Sequence, residues 1–464
     1  MTMNAAPSGR PTSPLGRRGS TYVLLGLAIA VLSASALMFP TADTASPNRP
    51  LTVSLTFDDG RANQMVAQQL LKKHAMTGTF YINSSSIEVP GGHMTRGDLD
   101  VLEASGNEVG GHSANHLSLS SLSTDEAERQ VCTDRNTLLS WGHAATSFAY
   151  PFSDLNATVQ SIAARCGYDT ARTVGGLRSP RGCTDCPATE PTPPADIYAT
   201  RTAADVDETW TLEELENTVT KAEATNGGWL TFVFHDVCDG CEQRSIRASV
   251  LDQFLTWLQA RSALHTTVKT VREAVGGSMK PPAAPPPPPP PGGPGVNTVR
   301  NPSLETVSPV DADLPRCFES AGYGDNSVTF SRVNDAHSGK FGERLTMNSW
   351  TEGDAKLLPL MDLGECSNQV TSGRRYEVSA WYKSDVEVSL RLFTRNAVGQ
   401  WTFWTYSPPF SPASGWTRAS WISPATPADA LAVSFGLAID RVGTLTTDDY
   451  GFAEVPRLTS PAVR

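Results

Sequence analysis

From Leu51 to about Gly277 the chain alternates between two periods of hydrophobicity. Short apolar or β-branched runs predict strands at Leu51–Phe57 (LTVSLTF), Thr79–Asn83, Glu108–Gly111, Thr146–Tyr150, Ile197–Thr202, Trp229–Phe234 (WLTFVF) and Thr266–Val271. Between them, apolar residues at helical spacing mark Gln64–Ala75, a segment opening at Thr95, a segment from Ser123 to about Trp141, and Asn156–Cys166, Leu212–Ala224 and Ile246–Ala263. Thr95 with Asp98 reads as a capping box, Ser123 as an N-cap and Gly167 as a C-cap. Repeated strand–helix units imply a parallel sheet, and about 225 residues suit an irregular barrel better than a complete eightfold one.

A Pro-rich stretch, PPAAPPPPPPPGGPG at Pro281–Gly295, ends this pattern. In extended polyproline conformation, at about 3.1 Å per residue, it is expected to hold its neighbours roughly 45 Å apart. Beyond it the period becomes two, as in Tyr376–Tyr382, Val386–Phe393 and Leu431–Leu437, with Gly, Pro, Ser and Asp between the runs. That pattern predicts one jelly-roll-like β-sandwich. The expected division is an α/β barrel at 51–277, a linker at 280–295 and an all-β sandwich at 296–460.

The first 45 residues read as an address. Residues 1–18 carry Arg10, Arg17 and Arg18; Gly19–Ala42 is uncharged, with an apolar core at Tyr22–Ser33. Ala34-Ser35-Ala36 offers a small-x-small cleavage site, yet the apolar run is also long enough to span a bilayer with its arginines cytoplasmic. Residues 19–45 are thus either a cleaved signal peptide or a retained membrane anchor. Both leave the rest of the chain extracytoplasmic, secreted or tethered by one N-terminal transmembrane segment.

Composition removes several classes of function. Lys and Arg number 37 against 48 Asp and Glu in 464 residues, a net charge of −11, which argues against a nucleic-acid binder. A hydrophobic content of 39% excludes a wholly disordered chain, and a single long apolar run excludes a polytopic membrane protein. Export also sets how the eight cysteines are read: Cys132, Cys166, Cys183, Cys186, Cys238, Cys241, Cys317 and Cys366. An even count in an oxidising compartment favours disulfides. By domain membership Cys132 pairs with Cys166 and Cys317 with Cys366. The two CxxC pairs also fit a four-thiolate zinc site, and their connectivity stays open.

The polar residues at strand ends carry the chemistry. Asp58 and Asp59 follow the first strand, His112 and His116 the Glu108–Gly111 strand; Tyr150 ends the next, and His235 and Asp236 end WLTFVF. In a parallel α/β fold the C-terminal strand ends share one face, so these groups should converge. His112-Ser-Ala-Asn-His116 is expected to put two imidazoles one helical turn apart. One added carboxylate completes a three-ligand site of the kind catalytic zinc uses.

Leu55-Thr56-Phe57-Asp58-Asp59-Gly60, His112-Ser113-Ala114-Asn115-His116, Phe148-Ala149-Tyr150-Pro151-Phe152 and Phe234-His235-Asp236, in that order, resemble the polysaccharide deacetylase family, also called the NodB homology or carbohydrate esterase family 4 domain. The resemblance implies a distorted (β/α) barrel with one divalent metal, zinc, or else cobalt or nickel. It implies Asp59, His112 and His116 as ligands, Asp58 as general base and His235 as acid for the departing amine. The backbone N–H of Tyr150 would stabilise the oxyanion, and Tyr150, Pro151 and Phe152 would line the substrate. Many members carry an arginine before the third-motif proline to pair with the base. Ala149 stands there here, and Arg201 is the expected replacement. An Asp near a Trp that orients the catalytic histidine has only loose counterparts in Asp205, Asp207 and Trp210.

In the C-terminal part, Asn301-Pro302-Ser303-Leu304-Glu305 and Asp448-Asp449-Tyr450-Gly451-Phe452 resemble the first and last strands of carbohydrate-binding modules, which implies a structural calcium at Glu305 and Asp449. Six tryptophans lie there; period two puts Trp404 and Tyr406 on one face, as sugar-stacking candidates, and Trp401 and Phe403 on the other. The expected protein is an exported N-deacetylase of an N-acetylglucosamine polymer, held to cell-wall or other glycan by its C-terminal module. An O-acetyl xylan esterase with the same site, or a non-catalytic glycan-binding wall protein, is the alternative.

Overall fold

The computed structural model describes residues 50–225, 227–241 and 243–456. The expected signal or anchor at 19–45 lies outside the described residues. Among those described, no helix is long and apolar enough to cross a membrane.

Seven parallel strands form the barrel wall: β1 (Leu51–Phe57), β2 (Thr79–Ile82), β3 (Glu108–Gly111), β4 (Ser147–Ala149), β5 (Thr170–Gly176), β6 (Thr200–Thr202) and β7 (Gly228–Phe234). Successive strands pair from β1 to β6, and β7 returns to pair with the whole of β1. The ring is closed by residues after β6, where Ala203 N–H donates to Thr231 O and Val206 N–H to Val233 O. Two short strands, β8 (Asp236–Val237) and β9 (Ser245–Ile246), pair beside the rim, and β10 (Thr266–Val268) lies along the start of β1. β1 and β7 are buried almost throughout rather than alternately, as strands covered on both faces are. Their polar side chains bond between these two neighbouring strands: Thr56 Oγ1 donates to Phe232 O, and Trp229 Nε1 to Ser54 Oγ.

The helices α1 (Met65–Lys73), α2 (Arg96–Ala104), α3 (Thr124–Ser140), α4 (Ala157–Arg165), α5 (Leu212–Glu223) and α6 (Ala248–Ala260) pack outside, and α7 (Val271–Val275) sets Val271 against Tyr81, Ala149 and Trp229. Thr95 and Asp98 make a full capping box for α2, and Ser123 caps α3 by accepting the Glu126 N–H. Gly167 takes the left-handed conformation just past α4, at φ 97°. The strand β5, TARTVGG, escaped the sequence reading because a central arginine and a terminal Gly-Gly interrupt its apolar pattern.

The C-terminal part is a sandwich of two antiparallel sheets. One contains Phe318–Tyr323, Asp354–Pro359, Ala432–Ile439, Ser389–Arg395 and Trp401–Tyr406, and the other Asn326–Val333, Gly342–Trp350, Gly443–Glu454, Tyr376–Ser384 and Ala413–Ile422. Leu345, Val378, Leu390, Phe435 and Phe452 fill the space between them.

The polyproline segment does not act as a 45 Å spacer. Its carbonyls accept hydrogen bonds from α3: Arg135 donates to Lys280 O and Pro281 O, Asn136 to Ala283 O, and Arg129 to Pro287 O. Polyproline leaves every carbonyl unpaired, so a helix face carrying amide and guanidinium donors can hold it flat. The sandwich consequently rests directly on the barrel.

All eight cysteines are oxidised, in the pairs Cys132–Cys166, Cys183–Cys186, Cys238–Cys241 and Cys317–Cys366. Each CxxC closes on itself, which removes the four-thiolate zinc alternative.

Candidate active site

The strand-end rule brings the polar residues together. A cavity of about 330 Å³ at the C-terminal mouth of the barrel is lined by Asp58, His112, His116, Tyr150, Phe152, Asp205, His235 and Arg244, among others. Asp59 Oδ1 lies 3.4 Å from His112 Nε2 and 3.3 Å from His116 Nε2. Among the described residues, Asp59, His112 and His116 are the group of His, Cys, Asp or Glu side chains able to hold a metal ion, with ligand atoms all within 4.8 Å.

Three observations fit these residues to a cation. Asp59 Oδ1 is buried and has no hydrogen-bond donor. His112 Nδ1 is tied to Ala149 O at 2.7 Å, which leaves Nε2 as the free lone pair aimed at Asp59. Burial, followed by the neighbouring His112, lowers the His116 pKa to about 4, so its imidazole stays neutral.

The loop from His112 to His116 is not helical. Ser113 and His116 adopt left-handed backbone, with φ of 65° and 54°, and the turn so formed brings the two rings to 4.9 Å between centroids. Asp59 is also left-handed, at φ 77°. Non-glycine residues hold such conformations only where their surroundings over-determine them. Here Asp134 of α3, fully buried, accepts the N–H of His112 and of Ser84, both at 3.0 Å, and Asn83 Nδ2 donates to Ser113 O. Burial raises the Asp134 pKa to about 6, against the pull of these donors. Neither Asp134 nor Asn83 was visible as a site residue in the sequence, because both act through backbone groups of the loop.

Asp58 is buried beside Arg172 of β5, which bonds it directly; both side chains are 3% exposed. Burial alone would raise the Asp58 pKa, but Arg172, then His112 and His235, outweigh it and hold the carboxyl below its ordinary range. The expected partner, Arg201, is elsewhere: its Nε donates to Glu190 Oε2 at 2.6 Å. The register explains the exchange. Ala149 of β4 lies directly opposite Arg172 of β5, so the guanidinium stands one strand over from the place where the motif carries it.

Tyr150 departs from its expected use. Its backbone N–H donates to Arg172 O at 3.2 Å as part of the β4–β5 ladder, and its hydroxyl donates to Tyr198 O at 2.9 Å. The N–H is therefore not free for an oxyanion. Pro151 is buried, whereas Phe152 is 63% exposed and packs edge-on against His116 at 4.5 Å. His235 is buried and lines the same cavity, and its Nδ1 has no hydrogen-bond partner. Asp205 lines the same wall, and its Oδ1 is likewise unpartnered. Asp207 instead accepts from Thr209, and Trp210 is buried in the core. The rim loop closed by Cys238–Cys241 is joined to the barrel through Asn63, which donates to Asp236 Oδ1 at 2.6 Å.

In the sandwich, Glu305 Oε1 accepts the N–H of Lys340 and Phe341, and Asp449 bonds His337 and Ser338. Both carboxylates thus fasten one loop, 335–341, instead of meeting as a pair of calcium ligands. A β-bulge passes over Trp404 in the pairing with Ser389–Arg395. It turns Trp404 onto the core and leaves Phe403 and Tyr406 on the same exposed side, 55% and 60% accessible, with rings 6.5 Å apart. Period two fails there because a bulge inserts one residue into the alternation.

The family model for polysaccharide deacetylase matches residues 45–171. Over 129 residues the chain is 30% identical to the peptidoglycan-N-acetylglucosamine deacetylase PgdA of Listeria monocytogenes, covering 27% of this chain and 26% of that one. The chain therefore spans about a quarter of the length of the curated relatives it matches. Among solved structures, the peptidoglycan deacetylase PdaC from Bacillus subtilis is 19% identical over 49% of this chain and 91% of its own, with a TM-score of 0.30. A family 4 carbohydrate esterase from Streptomyces lividans, in complex with acetate, is 14% identical over 50% and 97%, with a TM-score of 0.33.

Proposed function

We propose that the chain is, through its barrel, a member of the polysaccharide deacetylase family and an exported, metal-dependent hydrolase that removes N-acetyl groups from an N-acetylglucosamine polymer. The observation that carries this reading is the convergence of Asp59, His112 and His116 around an undonated carboxylate oxygen, with the ion-paired Asp58 beside them. The substrate class is supported by the activity named for the Listeria relative, and by a net charge of −11, which suits a polymer without negative charge.

Asp59, His112 and His116 would hold the cation. Once bound, a divalent ion such as zinc supplies Lewis acidity for the acetyl carbonyl and the attacking water. Asp58, kept ionised by Arg172, accepts the proton of that water. His235, lining the same cavity, gives a proton to the nitrogen so that it departs as an amine, leaving a glucosamine unit with a free amine in the polymer and releasing acetate. Phe152, standing over His116, offers an apolar wall for the sugar ring or the acetyl methyl group. The four disulfides support an oxidising, extracytoplasmic location.

One observation favours a second reading. His235 Nδ1 lacks a partner that would orient and tune the ring, and an ester leaves with less help from an acid than an amide does. An O-acetyl esterase acting on xylan therefore uses the same site with less demand on His235. Acetate release from acetylated chito-oligomers and from acetylated xylan, each with and without chelator, decides between them. Chelator-sensitive release from the chito-oligomers alone is the expected result; release from neither substrate would reduce the protein to a glycan binder.

A further inference from the structure

Asn115 stands between the two histidines proposed as ligands, and its side chain reaches out of the barrel. Its Nδ2 donates to Gly399 O at 3.0 Å, in the turn joining the sandwich strands Ser389–Arg395 and Trp401–Tyr406. From the other side Gln130 of α3 grips it twice: the Asn115 N–H donates to Gln130 Oε1 at 2.9 Å, and Gln130 Nε2 to Asn115 Oδ1 at 3.0 Å. Gln130 Nε2 also donates to Oε1 of Glu126, which is fully buried. Glu126 in turn accepts two sandwich amides, Leu363 N–H at 2.8 Å and Glu365 N–H at 3.2 Å. A continuous hydrogen-bond chain thus leaves the sandwich at residues 363–365, crosses α3, passes through the His112–His116 loop and re-enters the sandwich at Gly399.

The contact is close as well as polar. A Cβ on Gly399, at φ 85°, would lie 2.6 Å from Ser85 Oγ and 2.9 Å from the Leu363 side chain. Ser85 N–H donates to Ala114 O inside the loop, and Gln400 Nε2 donates to Ile87 O. The loop they surround has no helical hydrogen bonds of its own and two left-handed non-glycine residues, so its shape depends on what presses against it.

We propose that the β-sandwich is a working part of the ion site: by fixing Asn115 it holds His112 and His116 in ligating position, and Asn115 is a positioning residue for them. This inference rests on the metal-dependent reading above. It makes the C-terminal module a buttress of the catalytic loop, in addition to any glycan it binds.

The test uses the full chain, stripped of metal, with zinc affinity measured by calorimetry beside thermal melting. Asn115→Ala is expected to bind zinc about 10- to 100-fold more weakly, as loss of a residue that orients a ligand does, with kcat restored by excess zinc. Gly399→Val, a change made wholly within the sandwich, is expected to weaken zinc binding in the same direction. Unchanged zinc affinity in either folded variant, while the parent protein binds zinc, overturns this inference and leaves the deacetylase reading intact. A parent protein that takes up none of zinc, cobalt or nickel overturns both.

Discussion

The barrel and the sandwich use their buried charges in opposite ways. In the barrel, Asp58, His112, His116, Asp205 and His235 line one cavity with Asp59 Oδ1 within 3.4 Å of both His112 and His116, and Asp59 Oδ1, His235 Nδ1 and Asp205 Oδ1 are left without partners. In the sandwich, the buried Asp362 and Asp448 are occupied by backbone N–H groups of nearby loops. Leaving a buried polar group unmatched costs free energy, so unmatched groups gathered at a cavity mark a place prepared for a ligand, and matched ones mark scaffolding. Glu343 breaks this division: it is 1% exposed in the sandwich, and neither carboxylate oxygen has a hydrogen-bond partner.

The largest test of the contrast is in the cavity. Asp58→Asn should lower turnover by about 10³-fold or more while zinc remains bound, whereas His112→Ala should lose both. Full zinc stoichiometry in His112→Ala would contradict the ligand set. Next, Arg172→Met should lower kcat by about 10²-fold and destabilise the fold by about 3–5 kcal/mol, because it strands the Asp58 charge in a buried site. Arg201→Ala, whose pair with Glu190 lies outside the cavity, should stay near parental kcat, and an Arg201 effect equal to that of Arg172 would restore the expectation from the motif.

The Glu343 exception gives a stability test. Burial, only partly relieved by Arg332, raises its pKa from 4.5 to about 8. Below about pH 4.5 the group is protonated in both states and costs nothing. As pH rises towards 8 the unfolded chain releases the proton and the folded chain keeps it, so stability falls by up to a few kcal/mol. Melting temperature should therefore decline between pH 5 and 8 less steeply in Glu343→Gln than in the parent chain, the remaining slope coming from other buried carboxyls such as Asp134; parallel curves would mean that the carboxylate has found a partner. The smallest effect is expected at the outer sandwich face, where Tyr406→Ala should weaken retention on an insoluble N-acetylglucosamine polymer a few-fold without touching turnover of short oligomers.

Much of this architecture is written in one dimension. The strand periods, the capping residues Thr95, Ser123 and Gly167, and the order of the four motifs come from neighbours in sequence, and the parallel sheet follows from their alternation. Since parallel strands deliver their ends to one face, even the meeting of Asp59 with two histidines some fifty residues away was decided there. What only the tertiary structure decided is pairwise and non-local. The ladder register set Arg172 opposite Ala149 and used the Tyr150 N–H. A bulge reversed Trp404, and a helix face of donors drew the polyproline carbonyls down and seated the sandwich against the His112–His116 loop. A residue's own neighbours fix which element it joins. Which partner it meets across a sheet or an interface depends on the summed fit of many distant groups, and no local pattern encodes that sum.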